Sequence, residues 1–307
     1  MSGGSPASPD GLTSERVRDP RPSTESVAAV IVTYHPDAAL ADRVRPLIGQ
    51  VGTILVVDNG SREMELAPLA VLVRDSLVDA IWNGRNLGVA TALNQGLSWV
   101  ADRGFAWALT LDQDTTPGPD LVAEAARVFD ELSSPAPAVI GATSVTDAVV
   151  DPGGAVTCVV TSGALHSVRA WATLGRFRED FFIDQVDIEF CLRARSKGYA
   201  ILAARRPTVQ HTIGHPTRHR TVLRSFTVTN HDRVRRYYMT RNRIHVWRRY
   251  WRRETGYVTE DMRRAAKELV KLVLFETDRA GKVHATLRGG IDGLRGLTGE
   301  LRVARHR

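Results

Sequence analysis

Asp112-Gln113-Asp114 is the sharpest chemical feature of the chain, following the apolar stretch Phe105 to Leu111 and preceding Thr115-Thr116-Pro117-Gly118-Pro119. Two carboxylates one residue apart at a strand exit can hold a hard divalent cation, which in turn bridges a diphosphate. Mg2+ or Mn2+ at such a place neutralises the charge that grows on a departing nucleotide. The same residues also suit a plain strand-to-turn junction. Val56-Val57-Asp58-Asn59-Gly60-Ser61 is a second strand exit, with one acid. Asp58 can accept from a base N–H or a sugar hydroxyl, or it can close an Asx turn. A third group, Asp184, Asp187 and Glu189, precedes a helical pattern over 188–197. A carboxylate here can act as a general base, and the cluster can equally cap the helix. Asp187 falls near the helix N-terminus, where the dipole favours a carboxylate. These residues alone do not choose between Asp184 and Asp187.

The surrounding pattern predicts the elements that position these groups. Val27 to Val32 is a short continuous apolar run, as in a buried parallel strand. A helical pattern follows over 37–50, then strands over Thr53 to Val57 and Asp79 to Trp82, a helix over 89–102 and a strand over Phe105 to Leu111. Alternating strands and helices imply right-handed crossovers and a mostly parallel sheet, an α/β fold. Thr33, Asp58, Arg85-Asn86, Asp112 and Asp114 all sit just after strand ends. Ligands of open α/β sheets bind at that edge. Ser162-Gly163 ends another apolar run, where glycine permits close approach of a sugar or merely forms a turn.

Composition sets the bounds. The 307 residues are 43% hydrophobic and 24% charged, which excludes a wholly disordered chain. Two cysteines, Cys158 and Cys191, exclude a disulfide scaffold and a cysteine-rich zinc module; they are expected in the core. No apolar run is long enough for a spanning helix. Residues 1–25, of which 14 are Gly, Ser, Pro or Thr, are expected to form a disordered tail. The net charge is +7, but residues 205–253 hold 14 Arg and a single acid, Asp232. A basic block beside an acidic remainder suggests an anionic partner.

AAVIVTYHPD, VVDNGS, NGRNLGVATALNQG and LTLDQD, in this order and spacing, resemble the nucleotide-binding half of a family 2 glycosyltransferase. FFIDQVDIEFCLRARSKGY is similar to that family's acidic acceptor-side motif, and VQHTIG and RRYYMTRN resemble its rhamnosyltransferase and galactofuranosyltransferase branch. The resemblance implies a GT-A fold: a Rossmann-like sheet flanked by helices, and inverting chemistry. It implies that Thr33 and Asp58 contact the base and ribose, and that Arg85, Asn86 and Asn94 line the nucleotide pocket. Asp112 would face ribose and metal, Asp114 would ligate the metal, and His211 would complete a Mg2+ or Mn2+ site. Asp187 would be the catalytic base, with Glu189 behind it or on the acceptor. Arg235-Arg236 and Arg241 would reach the donor diphosphate.

The implied donor is dTDP-L-rhamnose, with UDP-galactofuranose or UDP-N-acetylglucosamine as alternatives. The implied acceptor is a lipid-linked or polysaccharide glycan of the cell envelope. The expected location is cytoplasmic, peripheral on the inner face of the plasma membrane. The expected division is a catalytic domain over 26–230, with halves 26–115 and 116–230, then a basic helical region over 231–307.

In that last region Val234, Tyr237, Tyr238, Ile244, Trp247 and Trp251 fall near one helical face, among nine Arg within 231–253. Three roles compete: a packing helix with a solvated face, an interfacial helix on anionic lipid, and a nucleic-acid patch. The lipid surface is favoured and nucleic acid is not expected as a partner. Residues 256–307 are expected to be helical, weakened by glycines such as Gly289 and Gly293, and to cover the catalytic domain, join a second copy or rest on the membrane. A sugar-phosphate nucleotidyltransferase would need a Gly-rich, Lys- or Arg-bearing loop after the first strand; Thr33-Tyr34-His35-Pro36-Asp37 lacks it. A non-catalytic nucleic-acid-binding protein would leave Asp112, Asp114 and Asp187 without a role.

Overall fold

The computed structural model describes residues 18–65, 67–74, 78–132, 135–144, 148–150, 155–206, 208–211, 217–220, 225–228 and 230–301. The chain runs β1 (Val27–Thr33), α1 (Leu40–Val44), β2 (Thr53–Asp58), α2 (Ala67–Arg74), β3 (Asp79–Trp82), α3 (Val89–Asp102) and β4 (Trp107–Asp112). It continues through β5 (Thr115–Pro117), α4 (Leu121–Glu131), β6 (Pro137–Ser144), β7 (Val149–Val150), β8 (Val156–Cys158), β9 (Ala164–Ser167), α5 (Val168–Leu174) and α6 (Val186–Ser196). Then come β10 (Ala200–Ala204), β11 (Val209–His211), β12 (Thr217–Arg220), β13 (Ser225–Val228), α7 (Arg233–Tyr250), α8 (Thr255–Phe275) and α9 (Arg279–Leu294).

Seven strands form the central sheet in the order β10-β6-β9-β4-β1-β2-β3, and only β9 runs antiparallel to its neighbours. Its two faces explain the continuous apolar run of β1. Ala28 and Val30 face one way and pack with Leu93, Leu97 and Val100 of α3. Val27, Ala29 and Ile31 face the other and pack with Leu40 and Val44 of α1 and with Leu121, Ala125 and Phe129 of α4. Period-2 alternation thus serves two cores at once, each fully buried aliphatic side chain contributing about 1.5–3 kcal/mol. The helix expected over 37–50 is shorter: Pro46 falls in a 3-10 turn, Arg45–Leu47, and cannot continue an α-helical ladder.

Of the tail expected over 1–25, residues 1–17 lie outside the described residues and the rest is ordered. Residues 18–25 lie against the core: Trp107 Nε1 donates to Pro20 O at 2.8 Å, and Ser167 Oγ donates to the buried carboxylate of Asp19. The boundary expected at 230 does not divide the core, because Val246, Tyr250, Tyr257 and Val258 belong to the same apolar cluster as α3 and Phe190. The buried side of α7 runs through Tyr237, Tyr238, Arg241, Asn242, Val246 and Tyr250, while Trp251 is exposed. The first half of the basic region is therefore a packing helix. α9 lies along α7 with Gly289 and Gly293 turned inward. A Cβ on Gly289 would stand 2.4 Å from the Tyr237 carbonyl oxygen, and one on Gly293 2.8 Å from that of Arg241. The glycines that weaken the helical pattern are the face that lets two backbones touch.

Candidate active site

The strand order places a topological switch point between β4 and β1, because the chain moves outward from β1 to β3 and then returns to β4 on the other side. Register aligns the polar strand ends there: Val32 pairs with Asp112, Thr33 with Asp58, and Asp58 with Trp82. The two loops that leave β1 and β4 are laced together. Gln113 Oε1 accepts from Tyr34 N at 2.8 Å, its Nε2 donates to Tyr34 O, and Arg43 donates to Gln113 O while pairing with Asp37. Ser162 holds the other side of the acidic loop: Asp112 N donates to its Oγ at 3.0 Å, and that Oγ also meets Thr115 Oγ1. Ser162-Gly163 is thus a brace for the Asp112–Thr115 loop.

β11 pairs antiparallel with β5, setting His211 opposite Thr115, the residue after Asp114. Backbone register therefore brings the third expected ligand to the acidic loop from about a hundred residues away. Its side chain lies outside the described residues. Among the described residues no three His, Cys, Asp or Glu side chains gather as a cation site. Two carboxylates and an imidazole are nevertheless a fitting donor set for Mg2+ or Mn2+.

Asp187 stands in the first turn of α6, where Ile188 N donates to its Oδ1 at 2.8 Å. Burial raises its carboxyl above the usual range, and the charge of Asp112 raises it further. The acids of β4 and α6 therefore face one site. No cation pairs with Asp187 among the described residues, whereas Asp184 lies 3.3 Å from Arg235. Burial pushes Asp184 up to about 6 against that partner. Glu189 is turned inward: Tyr250 Oη donates to Oε1 at 2.9 Å and Arg193 pairs with Oε2 at 3.0 Å. It is a core ion pair, not an acceptor contact. Of the three acids, Asp187 is the one without a cationic partner among the described residues, and it feels the charge of Asp112.

The loop before Asp187 is strained and clamped. Phe182, Asp184 and Gln185 have left-handed φ values of 65°, 62° and 64°. Non-glycine residues held so cost about 1–3 kcal/mol each and mark functional loops. Asn242 Nδ2 donates to the carbonyls of Phe181, Ile183 and Asp184. Arg241, 1% exposed, donates to the carbonyls of Asp180, Phe181 and Gly299. Arg241 thus holds the loop before Asp187, which corrects its expected contact with the donor diphosphate. Arg236 is buried and paired with Glu276, so it cannot reach a donor either.

Four other expected contacts also build the site without facing it. Asp58, 2% exposed, accepts from Thr33 Oγ1, Ser61 Oγ, Gly60 N and Ser61 N. These four donors fill the carboxylate, so Asp58 and Thr33 close the Asx turn. Asn94 is buried, donating to Phe177 O and Glu179 and accepting from Trp171 Nε1 and Phe177 N. Asn86 accepts from Asn59 Nδ2 and Gly88 N. Arg85, with a side chain 72% exposed, remains at the rim 3.9 Å from Glu300.

Asn59 is the organiser that residue pattern alone does not reveal. Its Oδ1 accepts from Leu87 N and Asn83 Nδ2, and its Nδ2 reaches Asn86. Gly60 follows at φ 98°, with the Arg85 backbone where a Cβ would stand. Asn-Gly is thus required by a second loop crossing it. Gly88, at φ 87°, is pressed likewise on Phe182, and Val89 N donates to Phe182 O at 2.7 Å. The loop after β3 is thereby joined to the base loop.

A mostly parallel sheet with paired acids at its switch point, an antiparallel strand beside β4 and a helical layer beyond is the architecture of a GT-A glycosyltransferase. Residues 28–152 match the model of the family described as glycosyl transferase family 2. The chain is 26% identical over 301 residues to a protein of Shigella flexneri named dTDP-rhamnosyl transferase RfbF, the match covering 89% of this chain and 97% of the other. It shares its fold with the mannosyltransferase PcManGT of Pyrobaculum calidifontis, solved with GDP-Man and Mn2+, at a TM-score of 0.57, 12% identity and 93% and 90% coverage. TarS 1-349 of S. aureus, solved with UDP-GlcNAc, aligns at a TM-score of 0.52 and 12% identity over 88% of this chain and 73% of that one. The chain is a glycosyltransferase.

Proposed function

We propose that this glycosyltransferase moves L-rhamnose from dTDP-L-rhamnose onto a lipid-linked or polysaccharide acceptor, with inversion at the anomeric carbon. The observation that carries the reading is the convergence of Asp112 and Asp187 on one site at the switch point. The name of the Shigella flexneri relative supports the donor, and the Mn2+ in the mannosyltransferase structure supports metal dependence.

Asp187 takes the proton of the acceptor hydroxyl as that oxygen attacks the anomeric carbon. The bond to the nucleoside diphosphate breaks on the opposite side, and the diphosphate leaves with the bonding pair. A carboxyl raised toward neutrality is a better base for this than one of ordinary pKa. Arg241 and Asn242 keep its loop in place, so the carboxylate is aimed before substrate arrives. Asp112, Asp114 and His211 would hold a divalent cation, which supplies charge neutralisation on the leaving diphosphate. Ser162 and Gln113 keep the loop bearing two of those ligands fixed.

Thermal shifts with dTDP, UDP and GDP, each with and without Mn2+, test the donor site. The expected result is a metal-dependent shift for dTDP that Asp114→Asn abolishes. A larger shift with UDP would replace the donor by a UDP-sugar, and turnover surviving both Asp114→Asn and Asp187→Asn would end the catalytic assignment.

A further inference from the structure

α7 carries its arginines on two sides, and the two sides have different fates. On the inner side Arg236 meets Glu276, and Arg243 meets Asp261 and Glu268. Arg233 meets Asp278. Two acids of α8 and two of the turn after it are thus engaged by this helix. At the far end of α7 the cations turn outward. Arg249, Arg252 and Arg253 are exposed, and none pairs with an acid among the described residues. With Arg193, Lys197 and the exposed indole of Trp251 they line a cleft of about 760 Å3.

The surface next to this cleft is apolar. Arg248 donates to Leu294 O at 2.9 Å, which brings the end of α9 to the cleft wall. Leu287, Ile291 and Leu294 share one face of α9 and are 62%, 50% and 66% exposed, and Leu297 follows. Met262, Leu269, Val270 and Val273 form a similar exposed stripe on α8. Among the described residues no helix is long and apolar enough to cross a membrane.

We infer that this cleft and the α9 face together dock on an anionic phospholipid surface, the phosphates seated against Arg249, Arg252 and Arg253 and the leucines among the acyl chains. Charge selects this occupant. A second copy would set unneutralised arginines against one another. A nucleic-acid groove interleaves cations with several stacking rings, whereas here one indole is followed by aliphatic side chains. Aliphatic side chains flanked by cations, with one aromatic at the boundary, match a headgroup layer over hydrocarbon. The inference stands apart from the donor and base assignments, since none of these residues touches that site.

Co-sedimentation of the full chain with vesicles tests it, using phosphatidylcholine alone and phosphatidylcholine with roughly one-third phosphatidylglycerol. The expected result is binding to the anionic vesicles only, weakened by salt, with a blue shift of Trp251 emission. R249E/R252E/R253E should weaken partition by about a hundredfold, and L294Q/L297Q by about tenfold. Unchanged dTDP-induced thermal shifts and circular dichroism certify that both variants fold. Equal binding to both vesicles, or no binding, overturns the inference. So does displacement by millimolar glycerol phosphate, which would make the cleft a soluble-anion site, or tighter capture of duplex DNA than of vesicles.

Discussion

Two regions hold the site, and they do it with different chemistry. The loops at the carboxyl edge of the sheet are fastened mostly by neutral groups, Asn59 to Asn83, Asn86 and Leu87 N, Gln113 to Tyr34 and Ser162 to Asp112 N, with the Asp58 carboxylate and the Arg43–Asp37 pair beside them. The helical layer behind the base loop is fastened by buried charge: Arg236 and Lys282 on Glu276, Arg243 on Asp261 and Glu268. Neutral amides cost little to desolvate, so losing one partner is a modest loss. Buried charges are costly to strand, so a single truncation there is severe. Precision near the donor thus comes from many weak bonds, and rigidity near the base from a few strong ones.

The largest effect belongs to the base itself. Asp187→Asn should lower turnover by about 10^2–10^4-fold with nucleotide-induced thermal shifts retained, read by product formation from dTDP-L-rhamnose. Next comes Glu276→Ala, which leaves Lys282 buried without its carboxylate and Arg236 with only Glu268, at 4.0 Å, and should cost about 3–5 kcal/mol in urea unfolding. Replacing all three by Leu and Met should restore most of that stability, which a merely short-ranged packing defect would not allow. Asn59→Ala should cost about 1–3 kcal/mol and raise KM for donor more than it lowers kcat. A loss as large as that of Glu276→Ala would erase the contrast between the regions.

The effect smallest at neutral pH is a slope. His166 is buried between Phe177 and Phe190, neither ring nitrogen has a hydrogen-bond partner among the described residues, and burial holds its pKa down to about 3. The folded state excludes a proton that the unfolded chain accepts near its ordinary value of 6.5. Stability is therefore complete above pH 6.5 and declines as pH falls toward 3, by up to about 1.4 kcal/mol per pH unit from this group. His166→Leu should flatten that part of the urea midpoint against pH and leave the midpoint at pH 8 unchanged or higher.

The sheet was legible because its strands obey local rules. β1, β2 and β4 are short apolar runs ended by polar turns, and α3 keeps helical spacing through Leu93, Leu97 and Val100. Asp112 and Asp187 stand at a strand exit and a helix start, which are readable positions, but local rules did not separate Asp187 from Asp184; only the family resemblance did. Burial was not. Asp58, Asn94 and Arg241 share the residue types of ligand contacts, yet each is consumed by backbone and side-chain partners brought from 20 to 90 residues away. No spacing rule separates a polar group that faces a pocket from one that faces a carbonyl. Acids of α8 and of the turn after it likewise pair three of α7's seven arginines, Arg233, Arg236 and Arg243, and a count of arginines along 205–253 cannot reveal partners lying after 260.

The base loop also has a history in time. Its carbonyls are held by Asn242 and Arg241, and Asp180 O accepts from Gly299 N at 2.6 Å. During synthesis those last partners leave the ribosome about 120 residues after the loop itself, a delay of roughly 6–24 s at ordinary elongation rates. Until then the nascent chain can assemble its strands while the Asp187 loop still lacks the last of its partners.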